Sequence, residues 1–186
     1  ALCCVLEDNY INDIACLCDS LFVGTSNGVF RLSCREDSVS NQLVEDKNVQ
    51  NLYFDKSENK LWIGTFNSGL WTLDLGNYSL HRIKGQHLSF FNPIRAITPY
   101  DNNRILVGID GGGVYFVDKH TSETKLFVNT EDSGEFFLRG NGIYAVTKDF
   151  QDNIWIGSYT GGVSVAISLK YPINIMTHER GNPQSL

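Results

Sequence analysis

Apolar residues fall in short runs along this chain, and the runs repeat. Leu21-Phe22-Val23-Gly24-Thr25, Leu61-Trp62-Ile63-Gly64-Thr65, Ile105-Leu106-Val107-Gly108-Ile109 and Ile154-Trp155-Ile156-Gly157-Ser158 are one pattern written four times, with glycines spaced 40, 44 and 49 residues apart. A Gly-containing turn and a second apolar run follow each copy, at Gly28-Val29-Phe30, Gly69-Leu70-Trp71, Gly113-Val114-Tyr115 and Gly162-Val163-Ser164. Another run precedes each copy, at 11–16, 49–54, 94–98 and 143–147. A looser fourth run closes each unit, at 42–45, 80–83, 125–128 and 173–176. The runs are rich in β-branched and aromatic residues and bounded by Gly, Asn and Asp, which predicts strands. No stretch holds an apolar period of 3.6 with caps, so helix is incidental.

Four antiparallel strands in each unit of about 40 to 50 residues is the arithmetic of a β-propeller blade. A β-solenoid is the rival, but its rungs are shorter and lack the four-strand grammar. The reading is all-β: four complete four-stranded blades, as a fragment of a larger, seven-bladed propeller. Residues 1–10 read as the last strand of a preceding blade and a linker, 11–48 as blade 1 and 49–93 as blade 2. Residues 94–142 read as blade 3, 143–177 as blade 4, and 178–186 as a linker to a next blade. The large residue of the second strand (Phe22, Trp62, Leu106, Trp155) is expected to pack between neighbouring sheets. The glycine two residues later is expected to let a neighbour approach closely. An isolated open arc of this kind is expected to associate through its uncovered sheet faces.

Composition narrows function by exclusion. Fifteen Lys+Arg against 21 Asp+Glu give a net charge of −6, which argues against a nucleic-acid face built on clustered cations. No apolar run approaches the length that spans a bilayer, so no membrane insertion is expected of this segment. His81, His87, His120 and His178 show no metal-ligand spacing and read as solvated surface residues. Cys3, Cys4, Cys16, Cys18 and Cys34 are odd in number and lack CxxC spacing. They read first as small buried hydrophobes and second as one adventitious disulfide, with a metal cluster last. The glycine-rich string 108–113 mimics a phosphate loop, but a strand follows where a helix is needed, so it reads as a β-turn. Asn77-Tyr78-Ser79 reads as a chance glycosylation sequon. No cofactor and no metal are expected.

Aligning the units places Asn12, Gln50, Arg95 and Tyr144 at one position near the start of the first strand. Ser26, Phe66, Asp110 and Tyr159 align in the hairpin between the second and third strands, at the same end of the blade. These residues vary while the packing motif repeats, so packing does not dictate them. Arg95, Tyr144, Gln50, Asn12, Phe66, Asp110 and Tyr159 are the candidate ligand-binding set, suited to stack and hydrogen-bond a glycan or small organic molecule. Phe90-Phe91 and Phe136-Phe137 lie in the longer inter-blade linkers at the same end, read as rim hydrophobes folded onto the blades or as contacts, and Arg139 reads as solvated. An enzyme would need converging carboxylates or histidines; the aligned inner positions offer none, and Asp13 is the only acid nearby. No catalytic residue is assigned.

The strings at 152–163 (DNIWIGSYTGGV) and 60–70 (KLWIGTFNSGL), with the tail RGNPQSL at 180–186, resemble the two-component-regulator propeller repeat. The third repeat departs from it at Leu106 and Ile109, where Trp and Thr are usual. The resemblance implies the periplasmic sensor region of a hybrid two-component protein, with two seven-bladed propellers, a β-sandwich, a membrane helix and a histidine kinase in the parent chain. It implies a parent that works as a homodimer, and a segment that is not itself an enzyme. The expected role is to detect a glycan-type signal or relay it to the kinase; the alternative is a stand-alone propeller scaffold that binds a protein.

Overall fold

The computed structural model describes residues 10–17, 20–33, 41–85, 92–131 and 138–168. Blade 1 comprises β1 (Ile11–Leu17), β2 (Ser20–Thr25), β3 (Gly28–Ser33) and β4 (Asn41–Glu45). Blade 2 comprises β5 (Val49–Asp55), β6 (Lys60–Thr65), β7 (Leu70–Asp74) and β8 (Leu80–Arg82). Blade 3 comprises β9 (Ile94–Pro99), β10 (Arg104–Ile109), β11 (Gly113–Asp118) and β12 (Thr124–Val128). Blade 4 contributes β13 (Ile143–Lys148), β14 (Ile154–Ser158) and β15 (Gly162–Ala166). Each sheet is an antiparallel meander in sequence order, and the described sheets share no strand. The run at 173–176, the strand expected at 2–6, both Phe pairs, His87, His178 and the other four cysteines lie outside the described residues.

The alternation of side chains along each second strand builds the stack. Even-numbered Trp62 of β6 joins a core with Ile94, Ile97, Ile105 and Val107 of blade 3, while its neighbours Leu61 and Ile63 join Phe22 and Val29 of blade 1. Leu106 repeats the Trp62 role against Ile143, Val146, Ile154 and Ile156 of blade 4. Successive inner strands β1, β5, β9 and β13 pack side by side, which is the face-to-face stacking of a propeller arc. The arc is open at both ends among the described residues. Trp155, the fourth copy of the buried aromatic, is 42% exposed, and Val163 and Val165 beside it are also exposed. The expectation that it packs between sheets therefore fails at this one position, because no described fifth sheet covers that face. The expected burial of the cysteines fails at Cys16, the one among the described residues, for the same reason. It is exposed, on the side of β1 opposite Ala15 and Leu17, which pack toward blade 2. His81 and His120 are exposed, as expected of solvated histidines.

The glycine of the motif reports the same geometry. A Cβ on Gly64 would sit 2.7 Å from Ile94 Cγ2 and 2.9 Å from the Ile94 carbonyl oxygen of the next blade. A Cβ on Gly157 would meet nothing nearer than Ala145 Cβ of its own blade at 3.6 Å. Gly64→Ala is therefore expected to cost about 1–3 kcal/mol by overpacking. Gly157→Ala is expected to stay within about 0.5 kcal/mol. Urea titrations of the two variants check the contrast, and equal losses would contradict the packing described.

Polar groups lock the inner strands together. Asp13 Oδ2 accepts from the Leu52 backbone N–H at 2.7 Å and from Asn51 Nδ2 at 2.8 Å. Asn51 Oδ1 accepts in turn from the Ile97 N–H at 2.8 Å, and Thr98 Oγ1 donates to the Val146 carbonyl. At the opposite end of the stack, Asp55 and Lys119 form an ion pair of 2.6 Å with side chains only 3% exposed. Tyr53 nearby is pushed up to about 12 by burial and by the charges of Asp55 and Glu58, so it stays a neutral phenol.

Candidate functional site

Every blade carries a β-bulge at the same place in its inner strand. The register skips one residue between Ile11 and Asp13, between Val49 and Asn51, between Ile94 and Ala96, and between Ile143 and Ala145. The extra residues are Asn12, Gln50, Arg95 and Tyr144. A bulge leaves its extra residue out of the ladder alternation and re-aims that side chain. This is why these positions escape the packing constraint that fixes their neighbours.

A second repeated device brings the hairpin residues alongside. The backbone N–H of Ser26, Phe66, Asp110 and Tyr159 donates to the carbonyl of Tyr10, Asn48, Pro93 and Gly142 respectively, at 2.7 to 2.9 Å. Each acceptor lies just ahead of the inner strand, so each hairpin is pinned beside its own bulge. The aligned pairs Phe66/Gln50, Asp110/Arg95 and Tyr159/Tyr144 are neighbours for that reason.

Arg95 is the hub of the resulting cluster. Its Nη1 donates to Gln50 Oε1 of blade 2, and Nε and Nη2 both face Asp110 Oδ2 at 3.4 Å. The guanidinium lies 4.9 Å from the Tyr144 ring centroid and 5.9 Å from that of Phe66. Tyr144 stacks on Tyr159, with centroids 5.5 Å apart and planes inclined by 28°. Gln50 is itself steered by its amide, which donates to Asn48 Oδ1 at 2.7 Å. Phe66, Tyr144 and Tyr159 are exposed, Tyr159 at 77%. Six of the seven candidate residues thus form one surface drawn from blades 2, 3 and 4. Asn12 stands apart, its amide donating to the Val49 carbonyl at 2.7 Å as an inter-blade tie.

The cluster presents three aromatic rings, an amide, a guanidinium and a carboxylate. Its one carboxylate, Asp110, is engaged by Arg95. Asp13 is likewise engaged in the tie between blades 1 and 2. Among the described residues no group of three His, Cys, Asp or Glu could hold a metal ion. The glycine-rich string at 108–113 is a hairpin turn between β10 and β11, closed by the Gly112 N–H donating to the Ile109 carbonyl at 3.1 Å. Sequence reasoning missed the ties made by Asp13 and Asn51. Their signal was an acid and an amide at one aligned position, directly after the bulge.

The architecture is that of a β-propeller. Within it, residues 138–160, which hold both Tyr144 and Tyr159, match the two component regulator propeller family. No curated protein matches the chain. Among solved structures, it superposes with a TM-score of 0.72 and 23% identity on the extracellular domain of a hybrid two component system of B. thetaiotaomicron, covering 86% of this chain and 21% of that one. The extracellular domain of a second such system from the same organism gives 0.69 and 19%, over 87% of this chain and 20% of that one. The WD40 β-propeller domain of Doa1 gives 0.64 and 12%, over 83% and 50%. The chain spans about a fifth of the length of the two extracellular domains. Among the described residues no helix is long and apolar enough to cross a membrane.

Proposed function

We propose that this chain is a non-catalytic, periplasmic sensor segment of a hybrid two-component signalling protein, binding a glycan-type ligand on the Arg95 cluster. The observation that carries the reading is the meeting of three bulged residues, Gln50, Arg95 and Tyr144, with their hairpin partners Phe66, Asp110 and Tyr159. A sugar ring presents an apolar C–H face and an equatorial rim of hydroxyls. Exposed Tyr159 and Tyr144 suit the face; Arg95, Gln50 and Asp110 supply donors and acceptors for the rim. The family match over residues 138–160 and the likeness to extracellular domains support the sensor assignment.

The relay would work by population shift. Arg95 touches side chains of three blades, so a ligand that recruits it from Gln50 and Asp110 alters contacts across two interfaces. Only a differential affinity for the two arrangements of the parent dimer would move that equilibrium toward its kinase-signalling state.

Binding to an array of neutral and acidic oligosaccharides, followed by calorimetry of each hit, tests the site. Arg95→Ala and Tyr144→Ala are each expected to weaken the hit about tenfold or more, which is about 1.4 kcal/mol. Undiminished binding by both folded variants would overturn the assignment. The relay half is tested by translating the flanking reading frame. A membrane helix and kinase motifs downstream are expected, and stop codons at both borders would remove the signalling partner.

A further inference from the structure

The end of the blade stack opposite the Arg95 cluster closes differently at each of the three interfaces. The positions concerned are equivalent by register: the last residue of the inner strand (one beyond it in β9), and the residue after the third strand of the next blade (two beyond it in β15). Between blades 1 and 2 they are Leu17 and Leu75, both packed against the same apolar core. Between blades 2 and 3 they are Asp55 and Lys119, the buried ion pair. Between blades 3 and 4 they are Tyr100 and Ser168, and there a cavity of about 370 Å³ opens.

Its walls are chemically divided. Phe127, Ile154 and Ala166 line one side. Tyr100 meets Phe116 edge-on at 4.8 Å, and Phe116 meets Phe127 at 4.9 Å, which makes a continuous aromatic array. The polar side holds two cations against the Tyr100 ring: the Arg104 guanidinium at 4.8 Å and the Lys148 ammonium at 5.6 Å. The acids beside them are committed. Asp101 Oδ1 accepts the backbone N–H groups of Asn103 and Arg104, and Oδ2 accepts Nε and Nη2 of Arg104 at 2.8 and 2.6 Å. Burial opposes the charge on Asp101, but these hydrogen bonds outweigh it and hold the carboxyl below its ordinary range. Lys148 donates to the Tyr100 carbonyl at 2.6 Å and to Asp152 Oδ1 at 3.0 Å. What remains unspent among the described residues is donor capacity: Arg104 Nη1 and the third ammonium proton of Lys148.

We propose that this cavity binds a small organic carboxylate with an aromatic or branched apolar body. The carboxylate would accept from Arg104 and Lys148, and the body would lie on the wall of Phe127, Ile154 and Ala166. A divided pocket of this size, with few polar groups fixing orientation, is the usual form of a small-molecule site. The site is independent of the Arg95 cluster, which lies at the other end of β9.

Phenylacetate is the probe, with phenethylamine and phenethyl alcohol as its cationic and neutral counterparts, followed by nuclear magnetic resonance on the intact chain. Phenylacetate at millimolar concentration is expected to shift the resonances of Tyr100, Phe127 and Ile154, with weaker shifts from the alcohol and none from the amine. Arg104→Gln, at an exposed position, should weaken phenylacetate binding about fivefold. Tyr100→Asp/Ser168→Lys, which copies the pair that seals the neighbouring interface, should abolish it. Equal binding of the amine and the acid, or Arg104→Gln binding as the parent does, would overturn the proposal. So would the absence of any shift at Tyr100, Phe127 and Ile154.

Discussion

Lys119→Met is expected to destabilise the fold by about 3–5 kcal/mol at neutral pH, because it strands the Asp55 carboxylate between blades 2 and 3. Both side chains of the pair are out of water, and Asp55 Oδ1 is already occupied by the Ser57 N–H at 3.0 Å and the Ser57 hydroxyl at 2.6 Å. Burial pushes the Asp55 pKa up, but the hydrogen bonds from Lys119 and Ser57 outweigh it and hold the carboxyl below its ordinary 3.8. A depressed carboxylate contributes stability that is present above its unfolded value and lost as pH falls through the lower folded one. The unsubstituted chain should therefore lose stability below about pH 4. In Lys119→Met only the burial effect and Ser57 remain, so its deficit should narrow on acidification, as protonation removes the stranded charge. Asp55→Leu/Lys119→Met should recover most of the loss. Urea denaturation of the three proteins at neutral and acid pH checks all of this. A single-variant deficit under about 1 kcal/mol would mean the pair is solvated.

Trp62→Ala is expected to cost about 3–5 kcal/mol, whereas Trp155→Ala, at the same place in the motif, should cost under about 1 kcal/mol. Trp62 is fully buried between blades 2 and 3, and Trp155 stands on the open face of blade 4. Trp62→Phe should be milder than the lost area suggests. The Trp62 indole N–H is buried with no hydrogen-bond partner among the described residues, and removing it relieves a desolvation penalty. Denaturant midpoints of the three variants provide the check. A large loss in Trp155→Ala would show that something covers the blade 4 face in solution.

The strands and their meander were legible because each repeat writes the same alternation, so four weak signals reinforce one another. The inner positions were legible for the opposite reason, since Gln50, Arg95 and Tyr144 differ while the apolar residue just before each and the one two places after it recur. The bulge that frees them was not legible. It is a property of register between two strands, and no residue type marks it here. The inter-blade pair of Asp55 and Lys119 was invisible for a related cause: 64 residues separate them, and only the stacking of two sheets brings them together. The exposure of Trp155 and Cys16 shows the converse limit. A repeat predicts burial as if every unit had two neighbours, and the terminal units of an open arc do not.

Chemical-shift mapping of the chain during titration with the oligosaccharides that bind it tests directly whether the Arg95 cluster is the binding site. Shifts are expected to concentrate at Gln50, Phe66, Arg95, Asp110, Tyr144 and Tyr159, with the outer strands β4, β8 and β12 unmoved. Shifts confined to those outer strands or to the opposite end of the stack, with the Arg95 cluster silent, would contradict that assignment.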